Sequence, residues 1–586
     1  MTIKATTMNP TDATSSRRHD LDALRAAAML LGIVFHSSLS VALGFGWMVR
    51  DVSQSKTAYL FQAWVHGFRM PLFMVVSGFF TAMLWRKRGL KALFSHRFRR
   101  VLLPCLLGLA TVVPAIIWAS SFAFQSGVAK SRKTARPESA SANLWTAIRQ
   151  GDAPALQGYL QTGEALTNLH AEFGITPLMW AALNGQKEAA AILLEKGASP
   201  NGRSRDGNTA LHAAAFLGRT GLVELLIQKG ADIHAVNSAG EQPLGSAVAD
   251  WGLVQYITGL LGITVEKPQV EQGRREIVRW LQALGAVGAN PATAGPAGAG
   301  GSVKPSPILQ ATRWLMDTPV FLLLWFLWFL WWLVVVFAAG AWIGQSLGCA
   351  LAPGRFLLSP VFLAALVPLA MLPIWFMGSG NGEFGPDTSM GILPMPHVFG
   401  YYALFFFFGA LYYDCGDEAG RLGRSWRWLL PIATCLVFPL ALEFATGAFG
   451  FRNALLPPRF QHLASTAFQA LYAWLMCFGC MGMFRALLVR ENPVIRYLSD
   501  ASYWLYLTHL PLIIALQALV SDWPVPGLIK AAVMSLLVTG FLLLIYDKLV
   551  RYTWVGTLLN GPRKRTATPS SATPEDFAGA SSKPVS

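Results

Sequence analysis

RRHDLDALRAAAMLLGIVFHSS, residues 17–38, opens on charge and then, from Ala26 to Phe35, carries none before it meets a histidine. The apolar stretch, counted from 24 to 45, reaches the roughly 20 residues that cross a hydrocarbon core of about 30 Å. Working outward from it, similar runs lie near 59–84, 101–124, 320–342, 357–377, 397–413, 428–447, 462–484, 497–520 and 527–547. The expected fold class is all-α: a polytopic membrane helix bundle of about 10 spans, the sixth being the shortest and weakest.

Composition points the same way, with 53% hydrophobic and 13% charged residues, against about 25% charged in soluble domains. The net charge of +16 does not imply nucleic acid, because the basic residues flank apolar runs and form no aromatic-laced patch. It reads as topology. The segment after the second span carries Arg86, Lys87, Arg88, Lys91, Arg97, Arg99 and Arg100, and alternate loops carry Arg421, Arg424, Arg427, Arg485, Arg490 and Arg496. The opposite short loops hold only Arg50, Lys56, Arg452 and Arg459. The positive-inside rule then puts both termini in the cytoplasm of a cell whose inner membrane holds the chain. No cleavage site closes the first run, so no signal peptide is expected. The six cysteines lie in or beside apolar runs, which suits packing better than a disulfide framework, and the Cys477-x-x-Cys480 pair sits inside an expected span. No metal site is expected.

Composition shifts abruptly between about 130 and 312. Gly174-Ile-Thr-Pro-Leu, Gly207-Asn-Thr-Ala-Leu-His and Gly240-Glu-Gln-Pro-Leu recur every 33 residues, followed in the first two by LLEKGASPN and LIQKGADIH. A turn and two helices per 33 residues is the ankyrin signature. NLWTAIRQGDAPALQGYLQTG before the repeats and GRREIVRWLQALGA after them supply the atypical ends a solenoid needs. The expected organisation is a cytoplasmic tail over 1–20, a first membrane part over 21–125, the ankyrin solenoid over 137–286, a flexible linker over 287–312, a second membrane part over 313–550 and a disordered cytoplasmic tail over 551–586. With three spans before it, the solenoid is expected outside the cytoplasm, with Ser204 in an exposed turn.

Ionisable groups at membrane depth are costly and mark function by default. Arg25 and His36, 11 residues apart, differ by only about 20° around a helix and lie roughly 16 Å apart along it. The second span, WVHGFRMPLFMVVSGFF, adds His66, Arg69 and Ser77: either a substrate cavity or polar groups that lock helices together. Arg97 and Arg100 in SHRFRRVLLP share a face, which suits a phosphate-bearing ligand or anionic headgroups. His509 precedes Pro511 in ASYWLYLTHLPL, and kink stabilisation or chemistry would each explain it. His397 and His462 fall near expected membrane surfaces.

LDALRAAAMLLGIVFH, FRMPLFMVVSGFF, RFRRVLLP and SYWLYLTHLPL, in that order, resemble the acyltransferase-3 family of membrane acyltransferases, and within it the glucan biosynthesis succinyltransferase branch. The resemblance covers roughly 17–125 and 313–550. It implies acyl transfer from an acyl-CoA-type cosubstrate, with no tightly bound cofactor, to a carbohydrate or other hydroxyl acceptor. Carried over, Arg25 and His36 match the family's essential pair, and Arg97 with Arg100 its paired-arginine motif, which implies contact with the donor. His66, Arg69, Ser77 and His509 are candidates for the substrate cavity. Two departures stand out: the inserted repeats, and Leu323-Leu-Trp-Phe-Leu327 where that branch reads His-Leu-Trp-Phe-Leu. The partners implied are the bilayer, the donor, the acceptor and a protein for the repeats, with no nucleic acid. The rival is a non-enzymatic receptor or transporter whose ankyrin module binds a protein.

Overall fold

The computed structural model describes residues 18–561 apart from 44–46, 135–143, 162–165, 167–173, 205–206, 238–240, 250, 287–311, 313–314, 317, 349–353, 378–383 and 489. The expected linker, most of both tails and the 135–143 flank therefore lie outside the described residues. The chain packs as two compact units: Met1–Ser120 with Pro307–Met377 and Phe384–Ser586, and Ser121–Ser306 with Gly378–Glu383.

In the first unit lie α1 His19–Ser38, α2 Lys56–Arg97 and, as far as Ser120, α3 Leu103–Thr134. Together α2 and α3 form one 68-residue apolar run, Lys56–Ala123. At 1.5 Å per residue that is about 100 Å, far more than one crossing. Gly89, at φ 75° and ψ 174°, breaks it, using a backbone region that costs glycine nothing. The basic segment expected as a loop is thus helical on both sides of Gly89, as its Leu, Lys, Arg and Ala content favours. A five-residue π turn, Phe98–Leu102, joins α2 to α3.

In the second unit the solenoid consists of α4 Leu144–Gln150, α5 Ala153–Gln161, α6 Pro177–Asn184, α7 Lys187–Glu195, α8 Ala210–Phe216, α9 Thr220–Gln228, α10 Pro243–Ala247, α11 Trp251–Leu261 and α12 Lys267–Ala283. Glycines at positive φ recur 33 residues apart, Gly174 with Gly207, Gly185 with Gly218 and Gly197 with Gly230, because each repeat turns the chain at the same places. Alanines 181, 182, 214 and 215 are buried, so neighbouring helices close tightly. His212 accepts the Thr209 amide on Nδ1 at 3.2 Å and turns Nε2 to the Glu241 carbonyl at 3.0 Å; burial holds its pKa below the ordinary value. The third repeat departs from the sequence expectation. Its first helix is only five residues, α11 is inserted, and α12 starts before the expected GRREIVRW. Ser204 is buried, its hydroxyl accepting the Asn208 amide at 3.0 Å, so it is not the exposed turn position anticipated.

The membrane unit resumes with α13 Trp325–Ser346, α14 Pro360–Trp375, α15 Pro396–Cys415, α16 Trp426–Ile432 continuing through a π turn into α17 Phe438–Thr446, α18 Pro458–Leu487, α19 Pro493–Val520, α20 Gly527–Ile545 and α21 Trp554–Asn560. Among the described residues eight helical runs are long and apolar enough to cross a membrane. One of these holds two expected spans, and α14 is a shorter apolar helix, so each of the ten expected segments falls on a helix. The short one is the fifth, which carries Pro368 and Pro373; the sixth, α15, is a full 20 residues.

Small residues set the tightest crossing. A Cβ at Gly78 would stand 1.8 Å from the Phe406 carbonyl oxygen and one at Gly409 1.9 Å from that of Val75, so α2 and α15 meet backbone to backbone, the membrane route to dispersion contact. Between α1 and α2, Asp51 is buried against Lys530 of α20 with both carboxylate oxygens at 2.8 Å, which ties the connecting segment to the last span. Folded structure reaches beyond both expected membrane boundaries. Asp20 is buried and paired with Arg18 at 2.7 Å, and α21, placed by sequence in the disordered tail, buries Leu559 and donates Asn560 Nδ2 to the Asp500 carbonyl at 2.8 Å. A seven-residue amphipathic turn is too short to register as periodicity, and its partners lie elsewhere in the chain.

Candidate active site

His36 lies near the end of α1 and His509 in the middle of α19, and the two rings meet with Nδ1 of His36 2.9 Å from Nε2 of His509. The proton positions follow from the neighbours. Nδ1 of His509 faces the carbonyls of Leu505 and Tyr506, each at 2.9 Å, and a carbonyl only accepts, so that nitrogen carries hydrogen. Neutral His509 then offers Nε2 as an acceptor and His36 donates from Nδ1. The free lone pair of His36 is therefore on Nε2, the state a general base requires. Gln517 holds the backbone beneath, donating Nε2 to the His36 carbonyl at 2.9 Å while its Oε1 accepts Trp47 Nε1 at 2.8 Å.

His36 and His509 line a small inner cavity of about 50 Å³ with Arg69 and the apolar side chains of Met29, Phe73, Leu323, Trp325 and Phe326. Met29, Phe73, Phe326 and Tyr506 also wall a larger cavity of about 650 Å³. That outer chamber is lined by Arg18, Arg25, Lys87, Arg97 and Arg100 against the acids Asp22 and Asp500. Arg25 donates Nη2 to Ser499 Oγ at 2.8 Å and stands 3.5 Å from Asp22. Arg97 donates Nη2 to Thr81 Oγ1 at 2.8 Å, with its Nε buried and unpartnered. The Arg100 carbonyl is held by Tyr503 Oη at 2.8 Å, on the π turn, a helix irregularity frequent at functional sites. Like charges so gathered repel one another and are relieved by a polyanion.

The structure thus brings Arg25, Arg97 and Arg100 together in one chamber with Ser77, and His36, Arg69 and His509 in the next. It does not bring His66 into either: that ring stacks on Phe35 with centroids 5.9 Å apart. His462 packs edge-on to Trp375 at 4.3 Å, and His397 lines neither cavity. Leu323 faces the inner cavity, so the position where the resembled branch carries histidine is here an apolar wall. Sequence reasoning missed His96, Tyr503, Tyr506, Ser499 and the α21 residues, since only the pairing of distant helices exposes them; the SYWLY run before His509 was the available signal for the tyrosines.

Comparison with known proteins places this arrangement. A family model described as an acyltransferase domain matches residues 18–132 and 276–546, the two stretches that carry the inner cavity and all of the outer one but Leu559 and Asn560. The chain belongs to the acyltransferase-3 family. A model of ankyrin repeats matches residues 144–237 in three copies. Glucans biosynthesis protein C of Escherichia coli strain SMS-3-5 is 40% identical over 109 residues, 19% of this chain and 26% of the relative. The strain K12 protein of that name matches to the same extent. The chain therefore spans about a quarter of the length of the curated relatives it matches.

Through its hydrogen bond His509 fixes the tautomer of His36, which a positioning role for His509 would use. Replacing it by leucine should lower kcat about 10²-fold, within the range of general base catalysis, and leave donor KM unchanged. His509→Gln, whose amide oxygen can accept the same proton, should recover much of the loss; equal failure of both variants would reduce His509 to a packing residue.

Proposed function

We propose that the chain is an integral-membrane O-acyltransferase that moves an acetyl or succinyl group from an acyl-CoA-type donor to a hydroxyl of a glycan or another cell-envelope acceptor. The observation that carries this reading is the succession of two cavities with shared walls, a chamber of arginines leading to an imidazole with its lone pair oriented. The donor's phosphates meet Arg25, Arg97 and Arg100, where guanidinium groups bind them through charge-assisted hydrogen bonds. Its flexible arm runs past Met29, Phe73 and Phe326 and presents the thioester at His36.

His36 Nε2 takes the proton of the acceptor hydroxyl as that oxygen bonds to the thioester carbonyl carbon. The tetrahedral intermediate collapses by breaking the carbon–sulfur bond, and the departing thiolate takes the proton back from the imidazolium. Direct transfer suits this site because, among the described residues, no serine or cysteine lines the inner cavity and the Tyr506 hydroxyl donates to the Leu323 carbonyl. A glucan acceptor is supported by the name of the relatives, glucans biosynthesis protein C.

His36→Ala should abolish transfer of label from acyl-CoA to glucan oligosaccharides while the purified protein keeps its melting temperature; turnover at the normal rate would remove His36 from the chemistry. Arg100→Ala should raise donor KM about tenfold or more, in keeping with a lost charged hydrogen bond, with acceptor KM unchanged. Arg100→Lys should rescue only in part, since the planar fork is lost.

Orientation follows from the charge of the connecting segments: both termini and the arginine chamber face the cytoplasm, and the solenoid lies outside it in the periplasm, available to a protein or to the acceptor. Lys229 is exposed on the solenoid and serves as a reporter position, which buried Ser204 cannot. Lys229→Cys should react with a membrane-impermeant maleimide once the outer membrane alone is opened; labelling that needs rupture of the inner membrane would put the repeats in the cytosol.

A further inference from the structure

The inner cavity contains a cation that no acid neutralises. Arg69 lies on α2, its Nε is buried without a partner, and among the described residues it forms no hydrogen bond and no ion pair. Among the described residues, two cations buried away from the cavities are matched: Lys530 binds Asp51, and Arg274 donates to the carbonyls of Phe216 and Ala249 at 2.8 Å. Burying an unpaired guanidinium is costly, so its retention calls for a charge that arrives later.

Its placement is enforced from two sides. The guanidinium carbon sits 4.9 Å from the centre of the Phe35 ring, a cation–π contact. Nη1 occupies space that only glycine leaves free, because a Cβ at Gly32 would be 2.5 Å away. Gly32 and His36 are i and i+4 on α1, neighbours on one face. The guanidinium is therefore one helical turn from the general base, on the side from which the donor arrives. Arg25 is roughly 16 Å along the helix from His36 and is engaged by Ser499.

We propose that Arg69 is a catalytic residue, holding the oxyanion formed when the acceptor hydroxyl adds to the thioester carbonyl; this rests on the acyl-transfer reading of His36. As the carbon–oxygen bond forms, the carbonyl π electrons move onto oxygen, and that negative charge lies against the guanidinium. It is released when the carbonyl re-forms and the thiolate leaves. Met29, Phe73, Leu323, Trp325 and Phe326 exclude water around it, where a preoriented cation is worth far more than in solvent.

The test uses the full-length purified protein with acetyl-CoA and with succinyl-CoA as donors and glucan oligosaccharides as acceptor. Arg69→Met should lower kcat about 10²- to 10³-fold with both donors alike, leave donor KM within about threefold, and leave the melting temperature equal or higher, because an unpaired buried charge is removed. Gly32→Ala, which keeps the guanidinium but displaces it, should also lower kcat with the melting temperature preserved. A kcat for Arg69→Met within about threefold of wild type would overturn the proposal. A loss confined to succinyl-CoA would overturn it in favour of a carboxylate-binding role, and unfolding of Arg69→Met with full activity of Gly32→Ala in favour of a structural one. Wild-type protein that transfers nothing from either donor would sink the acyl-transfer reading itself, and this inference with it.

Discussion

A titratable ring in a membrane cannot borrow water to settle its proton, so its partners must do so, and the His36–His509 hydrogen bond is where this is done. Two carbonyls of α19 fix one ring, that ring fixes the next, and the basic lone pair is left on Nε2 of His36. The bond joins residues 473 positions apart, so it exists only if α1 and α19 are held in register. Gln517 performs that service directly, by reaching from α19 to the carbonyls of His36 and Ser37. The Asp51–Lys530 pair performs it from outside, by fastening the segment after α1 to α20.

The treatment of charge separates scaffold from site. Where a cation serves packing away from the cavities, it is matched: Lys530 with Asp51 at 2.8 Å and Arg86 with Asp414 at 2.7 Å. Around the cavities matching is incomplete. Arg69 has no acid, Arg97 has a threonine hydroxyl, and Arg25 has Asp22 only at 3.5 Å. Unmatched charge destabilises the empty fold, and the tight glycine-mediated contact of α2 with α15 supplies rigidity that lets such groups stay in place.

The spans, the repeats and the first-helix pair were legible because each is a local pattern: run length, a 33-residue period, an 11-residue spacing. Gly89 and the Phe98–Leu102 π turn were not, since nothing in the basic segment says that its single glycine takes a non-helical conformation between two helical stretches. The roles of His66 and Arg69 could not be separated either. They are three residues apart on one helix, and only the facing surface of α1 decides that one stacks on Phe35 while the other enters the cavity beside Gly32. The share of Asn560 and Leu559 in the outer chamber was hidden because their partners lie on other elements.

The difference in size between the chambers, about 650 against about 50 Å³, completes the physical argument. On the acyl-transfer reading proposed above, a nucleotide-bearing donor fits only the first, where cations are numerous. Only a narrow, uncharged arm can continue between Met29, Phe73 and Phe326 into the second. That reading keeps phosphate recognition and bond-making at opposite ends of one path, so that a polyanion drawn to the arginines would not reach Arg69. That separation leaves the single inner cation free for charge that appears during reaction, which is the condition for stabilising a transition state more than a ground state.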